Sequence, residues 1–210
     1  MDALVPILFV MALAAIVAGA VALMLRGRRR DRSYQHDAGP ELAELARQRG
    51  WTYQAEQTGY ADRFTGFPFT QTTRNRVSRD LLHGVTAGRE FTCLLYSPTP
   101  MSVGERRSYS RYFRVFIVRL AREVPTLQVT PTKKGVRPRG DETFADAVLN
   151  PSLRSTVNAR GLPVRFEGDL LLTWHEQKGP FGASDVDRGL AYLTEVASLL
   201  PADLGRPTVR

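Results

Sequence analysis

The chain has 210 residues, a formal net charge of +8 and a single cysteine. That length suits one domain with an appendage, and one cysteine excludes both an intrachain disulfide and a cysteine-rich zinc site. The 43% hydrophobic content and mean hydropathy of −0.23 average over two unlike stretches.

The first stretch reads as a membrane span. Residues 4–25 carry no charge, and all but Pro6 and Gly19 are Ala, Val, Ile, Leu, Met or Phe. As a helix they would extend about 33 Å, enough to cross a hydrocarbon core of about 30 Å. A cleaved signal peptide fits less well: Asp2 is the only charge before the run, the run is too long, and it ends in Arg26. Arg26, Arg28, Arg29, Arg30 and Arg32 follow it directly, and nothing basic precedes it. The positive-inside bias then puts residues 1–3 outside and the rest of the chain in the cytoplasm, at the cell membrane. Ala15 and Gly19 form one small-xxx-small pair, which suits either a helix partner or a plain alanine-rich anchor.

Residues 26–39 read as a basic juxtamembrane linker, 40–201 as a cytoplasmic α+β domain, and 202–210 as a flexible tail. The domain opens with a helix from Pro40 to Gly50, with proline at its first position, glutamates early, arginines late and a glycine stop. Trp51 to Tyr53 begins a strand, and residues 57–80 are rich in loop formers. Leu82–Thr86 and Glu90–Ser97 flank Ala87-Gly88-Arg89 as a hairpin. Tyr109–Ala121 is the strongest strand. Phe113, Val115 and Ile117 face one way and Phe116, Val118 and Leu120 the other, so it should lie mid-sheet, covered on both sides. Leu127–Thr130 follows as a short strand, and Pro131–Gly140 reads as a basic loop. Helices are expected over Glu142–Leu149 and, after Asn150-Pro151, over Ser152–Ala159. Val164–Phe166 and Leu170–Trp174 flank Glu167-Gly168-Asp169 as a second hairpin. Ser184 and Asp187 suggest a capping box for a last amphipathic helix ended by Pro201. The expected architecture is therefore an N-terminal transmembrane helix followed by a mostly antiparallel sheet with flanking helices.

The segments "ELARQRGWTY", "GREFTCLLYS", "RYFRVFIVRL", "LNPSLR" and "GDLLLTW" and the final amphipathic helix, in that order, resemble a group of uncharacterised, membrane-anchored actinobacterial proteins of unknown function. The resemblance implies a membrane-tethered cytoplasmic domain over residues 40 to 200 and supplies no catalytic residues.

Motifs for chemistry are few. His36, His83 and His175 form no HxH or HxxxH pattern, and no GxSxG, Walker-A or GxGxxG motif occurs, so no catalytic residue, cofactor or metal is assigned. Cys93, between Phe91 and Leu95, reads as a buried, inert thiol. Glu167, Asp169 and Glu176 suit turn and surface roles better than paired acid–base chemistry. Charge is distributed unevenly: residues 47–139 hold 17 Lys and Arg against 6 acids, while both flanks of the domain are acidic. Arg74, Arg76, Arg79, Arg106, Arg107, Arg111, Lys133, Lys134, Arg137 and Arg139 fall in expected loops or strand ends. Together they would form a basic rim, unless they are simply solvated loop residues. Anionic lipid headgroups are the favoured partner, because the anchor already holds the domain at the bilayer. Nucleic acid ranks lower, since no RRM or OB signature accompanies the aromatic residues upstream of Arg74. The sequence therefore points to a non-enzymatic binding or scaffolding module on a single-pass anchor. Its alternatives are an accessory subunit of a membrane complex, or an enzyme whose site follows no recognised motif.

Overall fold

The computed structural model describes residues 38–70, 76–96, 112–177 and 179–201. The apolar run 4–25, its arginine flank and the tail 202–210 lie outside them, and among the described residues no helix is long and apolar enough to cross a membrane. The elements are α1 (Ala38–Arg49), β1 (Thr52–Thr58), a 3-10 turn (Tyr60–Arg63), β2 (Val77–Thr86), β3 (Arg89–Tyr96), β4 (Phe113–Thr132), β5 (Gly135–Gly140), α2 (Glu142–Val148), α3 (Pro151–Arg160), β6 (Val164–Glu176) and α4 (Ala183–Ser198). The fold is α+β, and every described strand pair is antiparallel.

The long strand β4 organises the sheet. Its first half pairs with β3 along one edge and with β6 along the other, and its second half keeps β6 while β5 replaces β3. β2 and then β1 extend the sheet beyond β3. Alternation along β4 divides the core as its pattern predicts. Phe116, Val118 and Leu120 join a cluster with Leu42, Leu153 and Leu193 under the helices. Phe113, Val115 and Ile117 join Phe64, Phe69 and Trp174 on the opposite face, beneath residues 59–70.

Local rules set the ends of the elements. Ala87 and Gly88 both have positive φ, 49° and 73°, the pairing a two-residue type I′ hairpin needs. Asn150 Oδ1 accepts the Leu153 amide at 2.8 Å, proline follows it, and Gly161 closes α3 with φ 64°. At Gly189 a Cβ would come within 2.4 Å of the Phe116 ring, so only glycine lets α4 lie this close to β4.

Several expected boundaries are corrected. The helix begins at Ala38, inside the expected linker. Strand β2 begins at Val77, four residues before the β pattern becomes clear. The basic loop 131–140 is a hairpin: β4 runs on to Thr132 and β5 returns from Gly135. Pro138 is tolerated there because β5 pairs only with β4 and leaves its other edge free of a missing donor's cost. The second expected hairpin does not form. Both halves of β6 pair with β4, and Gly168, at φ 60°, lies where β4 bulges between Arg119 and Val124. The last helix is capped earlier than Ser184, with the Gly182 amide donating to the Asp185 carboxylate at 3.2 Å. Asp187 instead pairs with Arg49 and ties α4 to α1.

Candidate functional site

Each face of the sheet carries an open cavity lined by a histidine, His83 on one face and His175 on the other. The loop-side cavity, about 490 Å³, is floored by two adjacent cross-strand rows. One row runs Thr52, His83, Thr92, Ile117, and the other includes Val85, Glu90, Arg119 and Leu170. Tyr60 and Arg63 of the 3-10 turn form its wall.

A chain of hydrogen bonds crosses this wall onto the floor. Arg63 donates to the Tyr60 hydroxyl, the Tyr60 hydroxyl donates to Thr92 Oγ1 at 3.0 Å, and Thr92 Oγ1 lies 2.9 Å from His83 Nδ1. Each hydroxyl has one proton. With the tyrosine proton on Thr92, the threonine proton goes to Nδ1, and the neutral imidazole carries its own hydrogen on Nε2. Burial, followed by the nearby Arg63 charge, lowers the His83 pKa and keeps the ring neutral. Burial likewise raises the Tyr60 pKa, so its hydroxyl stays protonated. The Arg63 guanidinium lies 4.0 Å over the Tyr60 ring and 4.9 Å over Phe64. On the far side, Arg119 bridges Glu90 at 2.8 Å and Asp169 at 2.6 Å.

The helix-side cavity, about 600 Å³, lies between the ends of β4 and β6 and helix α4. Arg114 and Asp185, both buried, pair at 2.9 Å, and Arg188 reaches the same carboxylate at 2.7 Å. Arg114 also donates to the carbonyls of Gly179 and Pro180. His175, the cross-strand neighbour of Arg114, stacks on Phe116. Burial and then the Arg114 charge lower its pKa. Its Nδ1 has no hydrogen-bond partner.

Neither imidazole is hydrogen-bonded to a carboxylate. Asp185 serves two arginines and a helix cap, and Glu90 is held by Arg119. Among the described residues both cavities present oriented donors and cations. Among the described residues no group of three or more His, Cys, Asp or Glu could hold a metal ion. Cys93 is fully buried, and burial pushes its thiol well above the usual range.

Six of the ten basic residues expected to form one rim fall among the described residues, and these six lie in two groups. Arg26, Arg28, Arg29, Arg30, Arg32, Arg74, Arg106, Arg107 and Arg111 lie outside the described residues, as does His36. Arg76 is a correction: it is only 6% exposed, pairs with Asp62 at 2.9 Å and donates to the carbonyls of Phe64 and Phe69. It clasps the loop to the sheet. Arg79 is half exposed and lies 3.4 Å from Glu56. Lys133 and Lys134 form the β4–β5 turn, with Arg137 and Arg139 exposed along β5. Arg79 lies at the level of Leu95 and Arg114. The hairpin turn lies beyond Thr132, on the order of 50 Å away along β4. Among the described residues the cations therefore occupy opposite ends of the sheet. Two of the three acids make structural pairs: Glu167, partly buried, pairs with Arg165 and accepts from Thr65, and Asp169 holds Arg119.

The sequence reading overlooked Tyr60, Arg63 and Thr92 as partners of His83. One signal was available. A two-residue turn at Ala87–Gly88 pairs Thr86 with Arg89 and, counting back, sets His83 opposite Thr92. The 3-10 turn that adds Tyr60 and Arg63 has no comparable periodicity.

No protein-family model matches the chain, and no curated protein matches it. Among solved structures, its fold is similar to the crystal structure of the mycobacterial trehalose monomycolate transport factor A, TtfA. The two are 12% identical with a TM-score of 0.56, and the match covers 78% of this chain and 96% of that one. At this identity, what the two proteins share is the fold.

Proposed function

We propose that this chain is a membrane-anchored accessory factor whose domain binds partners rather than catalysing a reaction, in service of a membrane transport process. The observation that carries this reading is the fold likeness to a transport factor along 96% of the solved chain of that protein. The uncharged run 4–25 and its five following arginines support a single span with the domain on the cytoplasmic side. Among the described residues each cavity pairs a histidine with arginines and no carboxylate on the ring, an arrangement that suits binding.

Membranes from cells expressing the full chain test the anchor. The chain should stay in the pellet after carbonate extraction, and a C-terminal tag should resist protease added outside the cell. Release by carbonate or digestion of the tag overturns the reading. Photo-crosslinking from residues 4–25 should then trap a membrane protein, as an accessory subunit would.

A second reading adds contact with anionic lipid. It rests on the exposed hairpin of Lys133, Lys134, Arg137 and Arg139. Residues 33–210 should bind anionic vesicles over neutral ones, less so in high salt, and charge reversal at Lys133 and Lys134 should weaken the binding. Equal, salt-insensitive binding to both vesicle types sinks this reading and leaves the anchor untouched.

A further inference from the structure

We propose that the loop-side cavity binds a small amphipathic anion, a carboxylate or phosphate monoester on an apolar body, through the Arg63 guanidinium and the His83 Nε2–H. Three observations converge on this site. Arg63 is held in place over two aromatic rings and by its bond to Tyr60, yet among the described residues no carboxylate pairs with it. His83 Nδ1 is occupied by Thr92, so the remaining ring hydrogen is on Nε2, which meets no acceptor among the described residues. Beside these two donors the cavity offers Val85, 60% exposed on a strand where its neighbours pack, together with Ile117 and Leu170. The volume, about 490 Å³, suits an organic molecule rather than a bare ion.

Charge selects the ligand. Arg119 is bound by two carboxylates, Glu90 and Asp169, so the far side of the cavity is net negative and an anion is confined to the opposite wall, at Arg63. Among the described residues lining the cavity, Arg63 is the cation without a carboxylate partner, and a charge-assisted bond to an anion is the strongest contact the cavity can make. The neutral imidazole adds a directed donor without a second positive charge. The helix-side cavity differs in that each of its arginines already has a carboxylate partner, Arg114 and Arg188 sharing Asp185 and Arg160 pairing with Glu195, and Glu176 lines the same space.

The test uses the full chain in detergent micelles, with phenyl phosphate and benzoate as probes and phenol and inorganic phosphate as controls. Titration is followed by the imidazole nitrogen resonances of His83. Both anionic probes should shift the His83 signals at millimolar concentration or below, and each should bind about tenfold more tightly than phenol. Arg63→Gln should weaken phenyl phosphate about tenfold, Arg63→Lys should restore most of the loss, and Arg188→Gln should leave binding unchanged. Thr92→Val removes the hydroxyl relay, so the His83 nitrogen shifts should change from the Nε2–H form to a tautomer mixture before any ligand is added. Four results overturn the proposal: phenol binding as well as phenyl phosphate, Arg63→Gln behaving as the parent, no binding of either anionic probe at millimolar concentration, or binding that leaves His83 unmoved. Inorganic phosphate binding as tightly as phenyl phosphate would remove the apolar body from the ligand.

Discussion

On one face of the sheet, helices bury Phe116, Leu42, Leu193 and their neighbours in a continuous apolar cluster. On the other, a loop of 59–70 covers a smaller cluster and is held by polar links. Arg76 reaches Asp62, Phe64 and Phe69, and Arg165 reaches Thr65. Apolar burial is non-directional and fills space beneath the helices, and the cavity on that face lies at the end of the sheet, between β4, β6 and α4. A loop held at a few points by directed bonds covers its face incompletely, and beside it stands the cavity containing His83 and Arg63. The two cavities differ in their cations: Arg114 and Arg188 are tied to Asp185 on the helix face, whereas Arg63 on the loop face rests on aromatic rings.

The largest perturbation should come from the helix face. Phe116→Ala removes a fully buried ring from the central strand and should cost about 3–5 kcal/mol, read as a lower urea midpoint with one transition. A loss below 1 kcal/mol would show that the helices do not depend on this cluster. Next, Arg76→Met should cost about 2–3 kcal/mol, under the usual range for a broken buried pair because Asp62 is partly exposed. Hydrogen exchange should rise first in 59–70 while α4 stays protected; equal loss on both faces would break the contrast. Asn150→Ala deletes a cap and the bond from Asn150 Nδ2 to the Leu199 carbonyl, and about 1 kcal/mol should be lost in the same assay.

The smallest effect is one of pH. Both His83 and His175 have pKa values lowered in the folded protein from the ordinary 6.5. Below that value the unfolded chain binds more protons than the folded one, so acid favours unfolding. Stability should be complete above about pH 6.5 and fall as pH drops through the folded values. Substituting either histidine by glutamine should flatten the slope. His83→Gln should act mainly on loop-face exchange and His175→Gln on α4, so identical exchange patterns would erase the distinction between the faces.

Much of this arrangement is legible in the sequence, and the exceptions have physical causes. The two-faced β4, the Ala87-Gly88 hairpin and the Asn150 cap follow from periodicity and from residue types with narrow backbone preferences. Gly168 misleads because a positive φ serves a bulge as well as a turn, and only pairing with β4 distinguishes them. Pro131, Lys133, Lys134 and Pro138 suggest a loop, but the two lysines make only the turn, and the strands on either side of it tolerate the prolines. Arg76 looks like a surface cation because nothing local indicates that Asp62, fourteen residues earlier, will meet it inside. The cavity is the least legible part, since its wall and floor come from separate elements that share no motif.

The continuity of β6 has a mechanical consequence. Because one strand runs beside both halves of β4, it splices the β1–β3 block to the β5 hairpin, and the two cannot slide or peel apart independently. A pull directed along these strands would load the whole β4–β6 ladder in shear, with many hydrogen bonds resisting together. Tugging at either end should therefore meet a single stiff body that yields all at once.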